Sequence, residues 1–267
     1  MTTATATDAE LAFAVDLARS AGVVLMDRYE RLERIDYKTA RDVVTEADHL
    51  SEELIIAAIR ARFPGDAILA EESGAHSAAA GGTAGRIWVI DPLDGTVNYA
   101  NGLPMFCVSI GLVVDERPTV GVVLDPTRDE TYAATFDGPA TLNGRPIHVS
   151  TKDKLTDYVI SLSLAGRSIA SRARALRKEI RISRSMGSAA LGLAYAGNGR
   201  FDAFVQETSL SAWDIAASGL IAERAGAVVT AFDGSRWYDP ARPPRGAGIV
   251  AAPPAFHERV RRLARGG

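Results

Sequence analysis

The sequence has little cysteine, few aromatic residues, almost no charge imbalance and no long apolar run. Its single cysteine, Cys107, excludes an internal disulfide and gives no sign of export. The longest apolar stretch, from Met105 to Val114, is too short to span a membrane, and the first seven residues lack the pattern of a signal peptide. Because 30 basic residues stand against 33 acidic ones, the charge gives no reason to expect nucleic acid or a membrane surface as a partner. We therefore expect a cytoplasmic protein.

The sequence does contain enough apolar residues, 47 % of 267, for one large or two moderate domains. Periodicity predicts a first helix up to about Tyr29 and a second one from Asp48. Short strands then follow one another, which favours an antiparallel sheet; they are expected at 67–70, 87–90, 105–114, 119–124, 131–136 and 147–150. The alanine- and glycine-rich residues 74–85 are expected to form a mobile loop.

Near residue 150 the pattern changes. We expect one domain at residues 1–149, with most of the candidate ligands, and a second at residues 150–267. The second part is expected to contain a basic helix within 171–184, a small-residue helix at 187–196, a strand at 201–205, a helix at 214–225 and a final basic helix.

The most informative stretch runs from Trp88 to Asn98 and reads WVIDPLDGTVN. A short buried strand there delivers Asp91 and Asp94 into a turn. Two neighbouring buried carboxylates repel each other unless a cation lies between them, so the placement favours a hard, oxygen-binding metal such as Mg²⁺. The amides of Gly95 and Thr96 then offer a place to hold phosphate. The alternative is an ordinary surface turn, which uses the same residue types.

Three more acids lie at predicted element boundaries. Asp48 and Asp214 begin helices, and Glu71 directly follows a short apolar strand. Taken alone, each has a structural explanation, such as a helix cap for Asp48. Together with Asp91 and Asp94, they are explained more simply by one shared metal site.

Four segments carry a resemblance to a known family, and they are 42–48 (DVVTEAD), 71–73 (EES), 88–99 (WVIDPLDGTVNY) and 213–217 (WDIAA). In order and spacing they resemble the signatures of the inositol monophosphatase family, and the resemblance covers nearly the whole chain. It implies an α/β fold of the α+β kind, a layered α/β/α/β/α sandwich shared with fructose bisphosphatases. It also implies a Mg²⁺-dependent phosphomonoesterase with two or three ions, usually a homodimer and often sensitive to lithium.

The resemblance also implies roles for individual residues. Glu71, Asp91 and the main-chain carbonyl of Leu93 would hold one metal, and Asp91, Asp94 and Asp214 a second. Gly95 and Thr96 would bind phosphate through their amides. The water-positioning and catalytic set would be Asp48, the Thr96 hydroxyl and Glu71, while Asp94, Asp214 and Glu207 would contact the substrate.

The substrate is less clearly indicated than the chemistry. The resemblance implies that the acid contacting the inositol hydroxyls lies seven positions before the second-metal aspartate Asp214, which gives Glu207. Counting forward from Asp202 gives Gln206 instead. Inositol 1-phosphate is the first candidate substrate. Fructose bisphosphate, histidinol phosphate and phosphoadenosine phosphate are alternatives, and the basic stripe from Arg174 to Arg181 is a weak hint of a bisphosphate. Lys38 is expected in a flexible loop near the site.

Other classes of protein fit less well. The segment from Cys107 to Val113 includes no arginine to close a cysteine-phosphatase loop, so Cys107 is expected to be a buried apolar residue. Asp91 and Asp94 are three apart, whereas an aspartyl-phosphate enzyme of the D-x-D-x-T kind needs acids two apart. A catalytically silent phosphate-binding scaffold is a remote alternative, because such a protein would be expected to lack at least one of these residues.

Overall fold

The computed structural model describes residues 8–32, 35–39, 42–79, 82–166, 168–243 and 246–266, and for residues 37–39 and 42 the backbone only. Within these ranges the helices are α1 (Asp8–Arg28), α2 (Glu46–Arg62), α3 (Thr96–Ala100), α4 (Ile169–Glu179), α5 (Ala189–Gly197), α6 (Ala212–Arg224) and α7 (His257–Arg265). The strands are β1 (Ile35–Thr39), β2 (Asp42–Thr45), β3 (Ala67–Ala70), β4 (Gly74–His76), β5 (Arg86–Asp94), β6 (Cys107–Val114), β7 (Arg117–Asp125), β8 (Glu130–Thr135), β9 (Thr141–Leu142), β10 (Arg145–Pro146), β11 (Val159–Ser163), β12 (Ile182–Arg184), β13 (Ala203–Leu210), β14 (Val228–Ala231) and β15 (Ala247–Ala252).

The first sheet has eight strands in the order β10-β9-β8-β7-β6-β5-β3-β4. Its neighbouring strands are antiparallel except β3 and β5, which run parallel. In that parallel pair Ala70 lies opposite Ile90. Because parallel strands end at the same edge of a sheet, Glu71 and Asp91 leave the sheet side by side.

The second sheet has five strands in the order β12-β11-β13-β15-β14. Helices α1 and α2 pack on the outer face of the first sheet, and α4 and α7 on the outer face of the second. Helices α5 and α6 lie between the two sheets and bury residues against both. The result is a helix, sheet, helix, sheet, helix sandwich, as the resemblance implied.

Helix α6 approaches the first sheet closely because β7 has a glycine at the contact. A Cβ atom on Gly121 would lie 2.6 Å from the carbonyl oxygen of Ala217, which is closer than real contacts allow. A larger residue at position 121 would push α6 away from β7. Since Asp214 is on α6, this contact helps to set how near Asp214 comes to the end of β5.

Most of the predicted elements are confirmed. Helices α1, α2, α5 and α6 and strands β3, β6, β7 and β8 lie within a few residues of the predicted positions, and the final helix is α7. Strands β5 and β13 begin close to the predicted positions but extend further, to Asp94 and Leu210, and Cys107 is fully buried. Asn143 and Gly144 join β9 to β10, with φ values of 49° and 75° that suit a tight hairpin. The first sheet lies entirely before residue 150 and the second after it.

Three local predictions need correction. The strand expected at 147–150 is absent from the described residues there, and the hairpin of β9 and β10 comes earlier. The loop expected at 74–85 begins with strand β4, which pairs with β3. Lys38 lies in strand β1, which pairs with β2, rather than in a loop, and its side chain lies outside the described part of the structure. No helix among the described residues is both long and apolar enough to cross a membrane.

Candidate active site

The site is built around the end of β5, where the strand leaves its ladder with β6. Asp91 lies opposite Ser109 and Asp94 lies opposite Cys107, and the pairing register shifts between the two aspartates. The amide of Leu93 donates to Asp91 Oδ1 at 3.0 Å, which closes a short turn. Gly95 then adopts φ = 98°, and its Cβ position lies 2.9 Å from the Met105 carbonyl oxygen, so only glycine fits there.

Three carboxylates from both halves of the chain meet at this turn. Ligand oxygens of Asp91, Asp94 and Asp214 all lie within 4.8 Å of one another. Glu71 reaches the same place from the end of β3 and shares a hydrogen bond with Asp91. The structure thus brings together the four carboxylates that the sequence suggested as metal ligands.

Asp214 owes its position to the local sequence of α6. It is the third residue of the helix, and its carboxylate accepts from the Ser211 amide at 2.5 Å in a capping box. The Ser109 hydroxyl of β6 donates to the carbonyl oxygen of Trp213 at 3.2 Å. Since Ser109 lies opposite Asp91 in the ladder, this bond ties the start of α6 to the strand next to Asp91.

Asp94 is held by the start of α5. Its carboxylate accepts from the Ser188 hydroxyl at 2.6 Å and from the amides of Ala189 and Ala190 at 3.2 and 2.6 Å. These are the free donors at the start of a helix, where the dipole favours a negative charge. Ser188 was not among the residues predicted from the sequence. Its position before a small-residue helix is an N-cap signal, but nothing local shows a partner 94 residues away.

Asp48 is the third residue of α2 and forms a capping box with Thr45. Asp48 Oδ2 accepts from the Thr45 amide at 2.8 Å and from the Thr45 hydroxyl at 2.7 Å. The other oxygen, Oδ1, accepts from the Thr96 hydroxyl at 3.1 Å, and that hydroxyl also lies 3.0 Å from the carbonyl oxygen of Leu93. Burial raises the pKa of Asp48 to about 6, although the bonds from Thr45 work in the opposite direction.

The electrostatics of the cluster fit a cation. Burial, followed by the neighbouring charges of Glu71, Asp94 and Asp214, raises the pKa of Asp91 well above its usual range. Burial also raises the pKa of Asp94, against the opposing effect of its hydrogen bonds from α5. Without a positive charge these carboxyl groups would keep their protons to a higher pH than ordinary aspartates do. Since all the donors are oxygens, the set suits a hard divalent ion such as Mg²⁺.

A cleft of about 230 Å³ opens beside Asp94 and Asp214. Its wall contains Gln206 together with several serine hydroxyls, which belong to Ser161, Ser163, Ser185, Ser188 and Ser209. No lysine or arginine lines the cleft in the described residues.

The residue predicted to contact the substrate, Glu207, lies elsewhere. Both of its carboxylate oxygens accept from Arg172, at 2.9 and 2.8 Å, and one also accepts from the Ala165 amide at 2.7 Å. Gln206, the residue selected by counting forward from Asp202, lines the cleft instead. Neighbouring side chains of a strand point to opposite faces, so Gln206 shares the cleft face of β13 with Phe204, whereas Glu207 points to the other face and contacts α4.

Comparisons with known proteins agree with this arrangement. The model of the inositol monophosphatase family matches residues 7–266. The chain is 39 % identical over 238 residues to Nus factor SuhB of Pseudomonas aeruginosa, covering 85 % of this chain and 87 % of that protein. It is 37 % identical to a fructose-1,6-bisphosphatase/inositol-1-monophosphatase of Thermotoga maritima, covering 84 % and 85 %.

A solved structure shows the same fold. The IMPase of Thermotoga maritima superposes with a TM-score of 0.86 at 33 % identity and covers 96 % of each chain. The matched fold, the nearly complete family match and the clustered carboxylates lead to one conclusion: the chain belongs to the inositol monophosphatase family and is a phosphatase.

Proposed function

We propose that this phosphatase is Mg²⁺-dependent and releases phosphate from a small polyol monophosphate, with inositol 1-phosphate as the first candidate. The observation that carries the proposal is the meeting of Asp91, Asp94 and Asp214 beside the hydrogen-bonded pair Asp48 and Thr96. The three clustered acids can bind cations, and the Asp48–Thr96 pair can direct a water molecule. Two of the named relatives support the phosphomonoesterase assignment by their names alone.

In this proposal Glu71, Asp91, Asp94, Asp214 and the carbonyl of Leu93 hold two or three Mg²⁺ ions. When bound, such ions would supply the positive charge that acidifies an attacking water and offsets the charge of the phosphate and of the leaving alkoxide.

Groups of the protein itself would orient the phosphate and accept the proton of the attacking water. The amides of Gly95 and Thr96 orient the phosphate. The Thr96 hydroxyl lies between Asp48 and the Leu93 carbonyl, so it can accept from a water and pass its own hydrogen bond to ionised Asp48. Asp48 takes the proton that the attacking water loses. For this it has to be ionised before the reaction begins.

The cleft favours a neutral leaving group. The serine hydroxyls and the side-chain amide of Gln206 can form hydrogen bonds with the hydroxyl groups of a polyol. A second phosphate would find no cationic side chain among the described lining residues. The basic stripe from Arg174 to Arg181 does not line the cleft, so it gives no reason to expect a bisphosphate as the substrate.

The test is phosphate release from four compounds, each with Mg²⁺ and with a chelator: inositol 1-phosphate, fructose bisphosphate, histidinol phosphate and phosphoadenosine phosphate. We expect metal-dependent release with the strongest preference for inositol 1-phosphate. A preference for fructose bisphosphate or phosphoadenosine phosphate would overturn the polyol assignment and leave the phosphatase chemistry standing.

No release from any compound by a folded protein that binds Mg²⁺ would favour the phosphate-binding scaffold. The name Nus factor, borne by the Pseudomonas relative, is a reason to keep that outcome in the test. A cytoplasmic homodimer with lithium sensitivity stays a prediction of family membership.

A further inference from the structure

Helix α2 turns three polar side chains toward the site. Asp48, Ser51 and Glu52 are 1, 0 and 4 % exposed, and their spacing places them on one face of the helix. Asp48 bonds Thr96, and the Ser51 hydroxyl donates to the carbonyl oxygen of Pro92 at 3.1 Å. Glu52 is the third member, and the proposed mechanism gives it no role.

Both carboxylate oxygens of Glu52 bind the turn that follows β3. Oε2 accepts from the amide of Glu72 and Oε1 from the amide of Ser73, each at 2.9 Å. Residues 71–73 form the tip of the hairpin between β3 and β4, because Ala70 pairs with Gly74. Amides at a hairpin tip have no partner in the sheet ladder, so a carboxylate that binds two of them fixes the direction of the tip.

The first residue of this tip is Glu71, the acid that bonds Asp91. We propose that Glu52 is a positioning residue, which holds the 71–73 tip so that the carboxylate of Glu71 faces Asp91 and can bind a divalent cation. This inference rests on the metal-binding role proposed for Glu71.

Energetics favour a functional over a purely structural explanation. In the described residues the hydrogen bonds of Glu52 go to backbone amides and not to a cationic side chain, and burying such a carboxylate costs solvation energy. Glu52 also adds a negative charge next to a group of acids that already repel one another. A hydrogen-bonded carboxylate behind a ligand is how many proteins fix the orientation of metal ligands.

The amide isostere separates the roles of shape and hydrogen bonding. In Glu52→Gln the side chain keeps its size, but only its oxygen can accept, and its NH₂ group meets the second backbone amide as donor against donor. Glu52→Asp keeps the charge but is one methylene shorter, so it cannot reach both amides. The control is Glu53→Gln, which makes the same chemical change at the exposed neighbouring position on α2.

The readout is binding of Mn²⁺ alone, measured by electron paramagnetic resonance, together with the melting temperature of the metal-free protein. We expect Glu52→Gln and Glu52→Asp each to weaken Mn²⁺ binding about tenfold, within the range seen when a residue behind a ligand is lost. Glu53→Gln should bind as the wild type does. The rate at saturating metal should recover to within a few-fold of the wild type, because the chemistry still has all its own groups.

A double variant tests the route of the effect. If Glu52 acts through Glu71, then Glu52→Gln should cost nothing further in a Glu71→Gln background. If Glu52→Gln weakens Mn²⁺ binding as much in the Glu71→Gln background as in the wild type, the proposal is overturned. Wild-type Mn²⁺ affinity in both Glu52 variants would also overturn it. A wild-type protein that binds Mn²⁺ without releasing phosphate from any substrate would count against the proposed function and leave this inference intact.

Discussion

The Thr96 hydroxyl donates a hydrogen bond to Asp48 Oδ1 at 3.1 Å and so joins the first turn of α2 to the start of α3. The two residues are 48 positions apart, yet both lie at helix starts beside the end of β5. In the proposed reaction this pair directs the attacking water. Loss of the hydroxyl should therefore slow the chemical step and leave the metal ligands in place.

The matched variants are Thr96→Val, which replaces the hydroxyl by a methyl group of similar size, and Thr96→Ser, which keeps it. We expect Thr96→Val to lower kcat about a hundredfold, the lower range for a group that takes part in proton transfer. Thr96→Ser should stay within about tenfold of the wild type. A Thr96→Val enzyme with wild-type kcat would show that the pair is structural only.

The pH dependence of kcat should show the ionisation of Asp48. Its pKa is raised to about 6 by burial, and only the ionised carboxylate can accept the proton. The rate should therefore fall as the pH drops through about 6, or somewhat lower, since bound cations favour the charged form. In Asp48→Asn the residual rate should lose this acid limb. If the rate of Asp48→Asn still falls at acid pH as the wild-type rate does, that fall comes from the ionisation of another group.

Metal and protons should compete for the cluster. The folded protein holds the pKa values of Asp48, Asp91 and Asp94 above those of the unfolded chain. Each of these three groups therefore binds more protons in the metal-free folded protein than in the unfolded chain, and its contribution to stability falls as the pH rises above about 4, the usual pKa of an aspartate. Mg²⁺ binds the ionised carboxylates, so it should oppose this loss.

We expect saturating Mg²⁺ to raise the melting temperature by roughly 5 to 10 °C at about pH 8 and by much less at about pH 5. Differential scanning fluorimetry with Mg²⁺ or chelator at both values measures this. An increase that is equal at the two pH values would mean that the ion binds outside the buried acids.

Gln206 and Glu207 should give opposite results when they are changed. Gln206 lines the cleft, so Gln206→Ala should alter kcat/KM between substrates by about tenfold and leave the melting temperature near that of the wild type. Glu207 binds Arg172, so Glu207→Gln should lower the melting temperature by roughly 3 to 8 °C with little change in substrate preference. A change in preference from Glu207→Gln alone would reverse the assignment.

The sequence was informative where structure depends on neighbours along the chain. Asp48 and Asp214 lie at helix starts because each forms a capping box with a residue three positions earlier, and this pattern is visible in the sequence. The end of β5 was also predictable, since an apolar run leads into a turn with Gly95. The family resemblance then ordered these pieces into one site.

The sequence was uninformative where distant segments meet. The bonds from Ser188 to Asp94 and from Glu52 to the 71–73 tip join residues whose own surroundings give no sign of a partner. The choice between Gln206 and Glu207 depends on which face of β13 borders the cleft, and periodicity does not show this. Strand β4 was missed because Gly74–His76 is too short and too poor in β-branched residues to resemble a strand.

The central claim is that the buried carboxylates hold the cations on which phosphate release depends, and Asp91→Asn tests it most directly. The variant keeps the size of the side chain and removes the charge shared by both proposed metal positions. Mn²⁺ binding, phosphate release and the melting temperature should be measured on the same preparation. We predict weaker Mn²⁺ binding and a rate at least about a thousandfold lower in a protein that still melts cooperatively. Turnover near that of the wild type would contradict the account.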